Sequence, residues 1–246
     1  VSQFQRQVSQ VPDSLLFPNI KASLFIVTYG RSGSTLLQRI LQTLPNSVIR
    51  GENENLLFKF YQLDRAFAQT AENASRRKGS HMPKSPWHGI ELLRPDAFRR
   101  DLADLFIKQV LNADGETSYI GFKEIRWHNT REELADYLRF IEAAFPNPYF
   151  VFNSRNPEDV SQSAWFAKTR QNQEKAIRIS NRMIAFFEAN MESFGDRVIR
   201  TRYEDFSKNP KALAPLFERL GEKLDERRIA KVLKEPLMHG KKGKKG

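Results

Sequence analysis

The chain has 246 residues, of which 40% are hydrophobic, and its formal net charge is +11. It contains no cysteine, which excludes disulfides and thiolate metal sites, and no apolar run approaches the ~20 residues that cross a bilayer. The positive balance favours anionic partners: nucleic acid, a membrane surface or a multiply phosphorylated ligand. No signal peptide is visible, so we expect a cytoplasmic protein.

The histidines give no pattern of metal ligands. They are scattered along the chain without H-x-x-x-H spacing, at His81, His88, His128 and His239. Zinc sites in proteins are built from clustered nitrogen, sulfur and carboxylate ligands. We therefore expect no metal centre.

The first predicted element is a buried strand over Leu24–Tyr29, a run of apolar, β-branched and aromatic residues. A polar glycine loop follows, and after it leucine and isoleucine recur at helical spacing. Glycines allow close backbone approach, and the N–H groups and dipole at a helix start attract negative charge. The pattern predicts an anion site made by Gly30, Arg31, Ser32, Gly33, Ser34 and Thr35.

This loop differs from two common nucleotide-binding motifs. No lysine follows the second glycine, as G-x-x-x-x-G-K-[ST] would require, and G-x-G-x-x-G is missing as well. An ordinary turn between a strand and a helix with a hydroxyl cap is the alternative interpretation.

Downstream, strands and helices alternate. Further strands are predicted at Ser47–Arg50, Tyr119–Arg126, Pro148–Ser154 and Arg197–Arg202. Helices are predicted from Leu56, over Asp96–Leu111 and Glu132–Phe145, from Pro157, over Glu174–Phe194, and near 209–220 and 225–234. Alternation predicts an α/β fold in three layers, with a mostly parallel, roughly five-stranded sheet and helices on both faces. Ligands then belong at the carboxyl ends of the strands.

We expect residues 1–246 to form a single domain. Within it, residues 1–20 are expected to be a polar surface lead-in and residues 56–118 a helical and irregular insertion. Residues 240–246 form a basic tail of lysine and glycine.

A second motif follows the predicted fourth strand. Arg155 leaves that strand, and Ser163 comes eight residues later, which places it just over two turns into the next predicted helix. An anion lying along this helix would reach both side chains. Taken alone, the motif is better explained by pairing of Arg155 with Glu158 or Asp159.

Together these motifs resemble those of the sulfotransferases that use 3′-phosphoadenosine 5′-phosphosulfate (PAPS). Residues 29–37, YGRSGSTLL, resemble the phosphosulfate-binding loop, with arginine at position 31 as in the bacterial-type and tyrosylprotein branches. Residues 155–163 are similar to the motif in which Arg155 and Ser163 would hold the 3′-phosphate. The resemblance extends from about Leu24 to the end of the chain. It implies a P-loop-like fold, PAPS as donor, adenosine 3′,5′-bisphosphate (PAP) as product, and no metal.

Two weaker matches concern the nucleotide. Residues 202–206, RYEDF, resemble a Tyr-Glu-Asp segment whose tyrosine lies against the adenine, here Tyr203. Core packing is the alternative role of this tyrosine. The basic tail loosely resembles a segment that closes over the 3′-phosphate, which would use Lys241 and Lys242, although such tails are often solvated.

Sulfuryl transfer to a hydroxyl is an in-line displacement that requires a base. In small-molecule sulfotransferases the base is a histidine two residues after a lysine of the third strand. Here Lys123 is followed by Glu124 and Ile125, so that histidine is missing. The resemblance to the glycan and protein-tyrosine branches instead implies a glutamate after the second strand. Glu52 is nearer the strand end and Glu54 is the close alternative, unless both are ordinary carboxylates at a helix start. Lys123 and Arg31 would neutralise sulfate charge, and an edge lysine is the other interpretation of Lys123.

The sequence thus predicts a sulfotransferase that uses PAPS and a hydroxyl acceptor: a glycan, tyrosine or small molecule. Acceptor contacts are expected in residues 58–95 and 164–175, which include Trp87, His88, Trp165 and Phe166. A P-loop-type kinase or nucleotide hydrolase is the main alternative, but the loop lysine is missing. A basic nucleic-acid-binding module is less consistent with aromatics that lie in core-like runs, so we expect no nucleic-acid partner.

Overall fold

The computed structural model describes residues 16–235 and contains one five-stranded sheet. The strands are β1 Ala22–Val27, β2 Ser47–Arg50, β3 Tyr119–Glu124, β4 Pro148–Ser154 and β5 Val198–Arg202. Their order is β2-β3-β1-β4-β5, and all neighbours are parallel. The predicted α/β class and the parallel sheet are confirmed.

Helices connect the strands and continue beyond them. The α-helices are α1 Ser34–Leu41, α2 Leu56–Ser75, α3 Pro95–Phe106, α4 Leu134–Ala144, α5 Pro157–Ser161, α6 Arg170–Phe194, α7 Tyr203–Phe206, α8 Ala214–Arg219 and α9 Glu226–Lys234. A π-helical turn, Ile107–Leu111, extends α3, and 3-10 turns include Ile90–Leu92 and Trp127–Glu133. None of the helices between residues 16 and 235 has the length and apolarity needed to cross a membrane.

The sheet carries a hydrophobic core on each face. Side chains alternate along β1, so that Phe25 enters one core and Leu24 the other. The first core also contains residues of α2, α3, α4 and α6, and the second contains residues of α1, α8 and α9. The expectation of helices on both faces is confirmed.

Several predicted boundaries were wrong. Helix α6 begins at Arg170, four residues earlier than predicted, because the Thr169 hydroxyl accepts a hydrogen bond from the Asn172 N–H and caps the helix. The lead-in is not wholly a surface segment, since Phe17 and Ile20 are buried in the core. The predicted helix over Asp96–Leu111 is α-helical only to Phe106.

The central strand lies where the chain changes sides of the sheet. The chain passes from β3 to β4 across β1, and ligands of open α/β sheets bind at the carboxyl edge beside such a point. A Cβ atom at Gly121 of β3 would overlap the Leu24 carbonyl, so only glycine permits this approach of β3 to β1. Beyond both strands, Tyr29 and Arg126 form an isolated antiparallel bridge. The segments that leave β1 and β3 therefore stay together.

Candidate active site

Buried polar side chains connect the glycine loop after β1 to the neighbouring strands β4 and β5. The hydroxyls of Thr28 and Ser32 are 2.7 Å apart, and the Thr28 hydroxyl donates to the Asn153 carbonyl of β4 at 2.8 Å. The Asn153 amide donates to the Ser32 carbonyl at 3.0 Å and accepts from the Thr201 hydroxyl of β5 at 3.1 Å. All four residues are buried. The network fixes the loop to two neighbouring strands and leaves its outer side facing the carboxyl edge.

Two left-handed residues shape the loop. Arg31 has φ 66°, which is uncommon for a residue other than glycine and often occurs at functional sites. Gly33 has φ 78° and precedes α1 with no side-chain cap on its first turn. A Cβ atom at Gly33 would overlap the ring of Tyr203, so glycine is required by both its conformation and its neighbour. Ser34 is buried and Thr35 half-buried in the first turn of α1.

The structure brings the two arginine motifs into contact. The Arg31 Nε donates to the Ser163 hydroxyl at 3.0 Å, and its guanidinium lies 5.3 Å from the centre of the Trp165 ring. The spacing predicted that Ser163 lies in a helix, and this prediction was wrong. Helix α5 ends at Ser161, and the chain turns there. This turn directs Ser163 toward the loop after β1.

Arg155 also contacts Arg31, but through the Arg31 backbone. Its Nη1 donates to the Arg31 carbonyl at 3.1 Å, and its guanidinium lies 4.6 Å from the centre of the Tyr203 ring. The Tyr29 hydroxyl donates to the Arg155 carbonyl at 2.7 Å and accepts from the Arg155 N–H at 2.9 Å. Burial raises the pKa of Tyr29 to about 12, so this hydroxyl keeps its proton.

The Arg155 Nε is buried and has no hydrogen-bond partner among the described residues. No carboxylate of residues 16–235 forms an ion pair with Arg155 either, so the predicted alternative of pairing with Glu158 or Asp159 is wrong. Burial and the neighbouring positive charge of Arg155 both lower the pKa of Arg31. Two close guanidinium groups, one with a buried and unsatisfied N–H, form a site suited to an anion.

Glu52 lies after β2 and is held by two cations. Its Oε1 accepts from Lys123 Nζ at 2.5 Å, and its Oε2 accepts from Arg126 Nη1 at 2.9 Å. Lys123 is 6% exposed and lies near the carboxyl end of β3. The interpretation of Lys123 as a solvent-facing edge lysine is wrong, because the side chain is buried and ion-paired.

Glu54 differs from Glu52 in every contact. Its side chain is exposed and makes no hydrogen bond or ion pair within the described part of the chain. It has φ 57°, and Asn55, the N-cap of α2, has φ 61°. The backbone turns here, and only Glu52 joins the charged cluster at the sheet edge.

Sequence reasoning missed Glu124 and Arg126. Glu124 is fully buried, and one of its oxygens accepts from the N–H groups of Asn53 and Asn55 at 3.3 and 2.8 Å. The other accepts from Ile125 N–H, Arg126 N–H and Arg126 Nη1 at 2.8, 3.1 and 3.0 Å. Glu124 thus fixes the segment that carries Glu52. A carboxylate at the end of a buried strand was the available signal.

A cavity of about 180 Å³ adjoins the loop. Gly30, Arg126, His128, Trp165 and Phe166 are among its lining residues. Two of the four expected acceptor residues therefore lie beside the loop, whereas Trp87 and His88 do not line this cavity. Trp87 packs on Arg77 and the His88 ring lies 3.3 Å from the Ser80 carbonyl.

Comparisons with known proteins agree with this architecture. A sequence profile described as "Sulfotransferase family" matches residues 23–226. The chain belongs to the sulfotransferase family. This confirms the predicted sulfotransferase function at the level of the family. A search of the curated proteins found no match.

Two solved sulfotransferase domains have a similar fold. The sulfotransferase domain from the Synechococcus PCC 7002 olefin synthase is 21% identical, with a TM-score of 0.53, over 92% of this chain and 81% of that domain. The sulfotransferase domain from the curacin biosynthetic pathway is 18% identical, with a TM-score of 0.51, over 88% of this chain and 79% of that domain.

Two further predictions concern the basic tail and metal ions. Lys241 and Lys242 of the basic tail lie outside the described residues. Between residues 16 and 235, no group of three or more histidine, aspartate or glutamate side chains is arranged to hold a metal ion.

Proposed function

We propose that this sulfotransferase takes its sulfuryl group from PAPS and transfers it to a hydroxyl acceptor. The observation that carries the donor assignment is the group formed by Arg31, Ser163 and Arg155 beside the glycine loop. PAPS carries one phosphate at the 3′ position of its ribose and another at the 5′ position, and a site for it needs cations near both. The buried, unpartnered Nε of Arg155 fits an anionic oxygen, which is the ligand this N–H lacks.

Each part of the donor has residues suited to it. The loop from Gly30 to Thr35 and the uncapped start of α1 suit the phosphosulfate end, since backbone N–H groups bind anions there. Arg155 and Ser163 suit the 3′-phosphate. The half-buried Tyr203 ring, which covers Gly33, suits the adenine.

Glu52 is the proposed base. The acceptor oxygen forms a bond to sulfur, the bond from sulfur to the 5′-phosphate oxygen breaks, and the acceptor proton passes to a Glu52 carboxylate oxygen. Each carboxylate oxygen has a second lone pair besides the one that accepts from Lys123 or Arg126. Arg126 and Lys123 hold the carboxylate in place and stabilise the negative charge that spreads over the sulfuryl oxygens.

The test compares two nucleotides that differ only in the 3′-phosphate. PAP should raise the melting temperature (Tm) far more than adenosine 5′-monophosphate, because a charge-assisted contact contributes about 1.5–3 kcal/mol, or one to two decades in affinity. Arg155→Ala should remove most of this difference. Arg76→Ala, which changes an exposed arginine at the end of α2, is the control and should preserve it. Equal shifts from the two nucleotides would refute the assignment.

A further inference from the structure

Apolar side chains form most of the wall of the cavity beside the glycine loop. Its side chains are contributed by the segment after β3, by the turn after α5 and by α6, and they include Ile125, Val160, Trp165, Phe166 and Ile179. The charged residues in the wall, Arg126 and Lys175, are both cations. The cavity therefore disfavours a cationic acceptor, and its hydrogen-bonding side chains are limited to those of Tyr29, Arg126, His128, Trp165, Lys175 and Ser180.

The cavity is connected to the proposed base through one residue. Arg126 lines the cavity and also donates to Glu52 Oε2 at 2.9 Å. Gly30, the first residue of the loop, lines the same cavity. A molecule in this space thus lies between the loop and the side chain that holds the base.

His128 gives this wall a defined chemical character. Its Nδ1 lies 3.1 Å from the Ile125 carbonyl, which can only accept, so Nδ1 carries the hydrogen. Burial lowers the pKa of His128, and the neighbouring cations Lys175 and Arg182 act in the same direction, against the opposing influence of the Ile125 carbonyl and Glu124. The ring is neutral at pH 7 and presents an uncharged surface to the cavity.

We propose that this cavity binds the aromatic ring of a phenolic acceptor, an inference that rests on the proposed function. The size fits, since apolar cavities of roughly 150 Å³ bind benzene and this one measures about 180 Å³. Trp165 and Phe166 provide aromatic faces, with ring centres 5.3 Å apart. A sugar ring would place hydroxyls against these apolar side chains, and each hydroxyl buried without a partner would cost about 1–3 kcal/mol.

The chemistry favours the same class of acceptor. Both Glu52 oxygens already accept hydrogen bonds from cations. A phenolic hydroxyl, with a pKa of about 10 like that of tyrosine, requires less of the base than an aliphatic alcohol. As the proton passes to Glu52 and the oxygen bonds to sulfur, Arg126 stabilises the negative charge on the phenolic oxygen.

The experiment uses three hydroxyl compounds built on six-membered rings: phenol, cyclohexanol, which is matched to phenol in size, and methyl β-D-glucoside, which is larger and carries several hydroxyls. Each is incubated with the enzyme and PAPS, and sulfated product is measured by mass spectrometry. Phenol should exceed the other two in kcat/KM by about 100-fold or more. N-acetyltyrosine amide, tested in parallel, shows whether a small phenol or a tyrosine side chain is the better source of the ring.

A variant that fills the cavity separates binding from catalysis. Ile179→Trp should raise the KM for phenol by about tenfold or more while the stabilisation by PAP is unchanged. Met191→Trp is the matched control, because Met191 is also partly buried on α6 but does not line this cavity, and it should leave that KM unchanged. The Tm of each variant checks that it folds.

The outcomes separate the two proposals. Stabilisation by PAP with no sulfation of phenol, a preference for the glucoside, equal use of cyclohexanol, or an unchanged KM in Ile179→Trp would each overturn the phenol assignment alone. Equal stabilisation by PAP and adenosine 5′-monophosphate would instead refute the donor assignment.

Discussion

Replacement of Glu52 by glutamine tests the proposed base directly. Glutamine preserves the volume of the side chain, but it cannot take a proton, and only its oxygen can still accept. In the protein one carboxylate oxygen accepts from Lys123 and the other from Arg126. The amide can therefore satisfy one cation and presents an N–H group to the other.

Two effects of different size should follow. Loss of a positioned base lowers turnover by about 10²–10⁴-fold. Breaking a fully buried ion pair costs about 3–5 kcal/mol, but the Glu52 side chain is 31% exposed and the amide still accepts one hydrogen bond, so about 1–2 kcal/mol is expected here. In a chain of this length that lowers the Tm by about 2–8 °C.

The assay measures sulfated product from PAPS and a phenol well below the Tm of both proteins, with stabilisation by PAP measured in parallel. Turnover should fall and the donor's KM should not change, because the carboxylate does not hold the nucleotide. Glu54→Gln is the matched control, since this exposed side chain has no partner among the described residues. Normal turnover in Glu52→Gln would refute the assignment. A severe loss only in Glu54→Gln would transfer the role to Glu54, and two active variants would make His128 the next residue to test.

Three further predictions concern the loop and the cavity. Arg31→Ala should weaken PAP binding and slow transfer together. An unchanged PAP affinity in calorimetry would contradict the proposed contact between Arg31 and the nucleotide. Tyr29→Phe removes the hydroxyl that both donates to and accepts from the Arg155 backbone. The free energy of unfolding should fall by about 1–3 kcal/mol, which lowers the Tm, and PAP should bind more weakly. A Tm like that of the unmodified protein would show that water replaces the hydroxyl. Burial lowers the pKa of His128 in the folded state, whereas the pKa in the unfolded chain is about 6.5. The free energy of unfolding therefore does not depend on His128 well above pH 6.5, and it decreases as the pH falls below that value. The loss of Tm between pH 7.5 and 5.5 should be smaller in His128→Asn, and equal losses would exclude His128 as the cause.

The sequence by itself determined the elements of the fold and the strand–glycine turn–helix order at its centre. Periodicity and β-branched runs are local signals, so β2 and β4 begin and end where the pattern predicts, and the remaining strands differ by a few residues at their ends. The glycines of the loop also carry local information. Gly33 adopts φ 78°, a conformation that most side chains avoid, and it stands at the start of a helix. A strand, a glycine turn and a helix could therefore be predicted in order, and the anion site at their junction stays a prediction.

Only the tertiary structure decided which charged residues meet. Arg31 and Ser163 are far apart in the sequence, and their hydrogen bond depends on the turn that ends α5, which helical spacing could not predict. By spacing, Glu52 was preferred, with Glu54 as the close alternative. The parallel pairing of β2 with β3 places it beside Lys123 and Arg126, while a left-handed turn leaves Glu54 in solvent.

The cavity has the same origin. Its wall combines residues that follow β1, β3 and β4, which become neighbours only because β1 lies between β3 and β4 in the sheet. Sequence patterns specify each element through contacts between near residues. The order of strands depends on the burial of two hydrophobic faces at once, which is a property of the whole chain. The side chains at the carboxyl edge are therefore brought together by the fold, and the acceptor that fits between them is a question that the sequence alone left open.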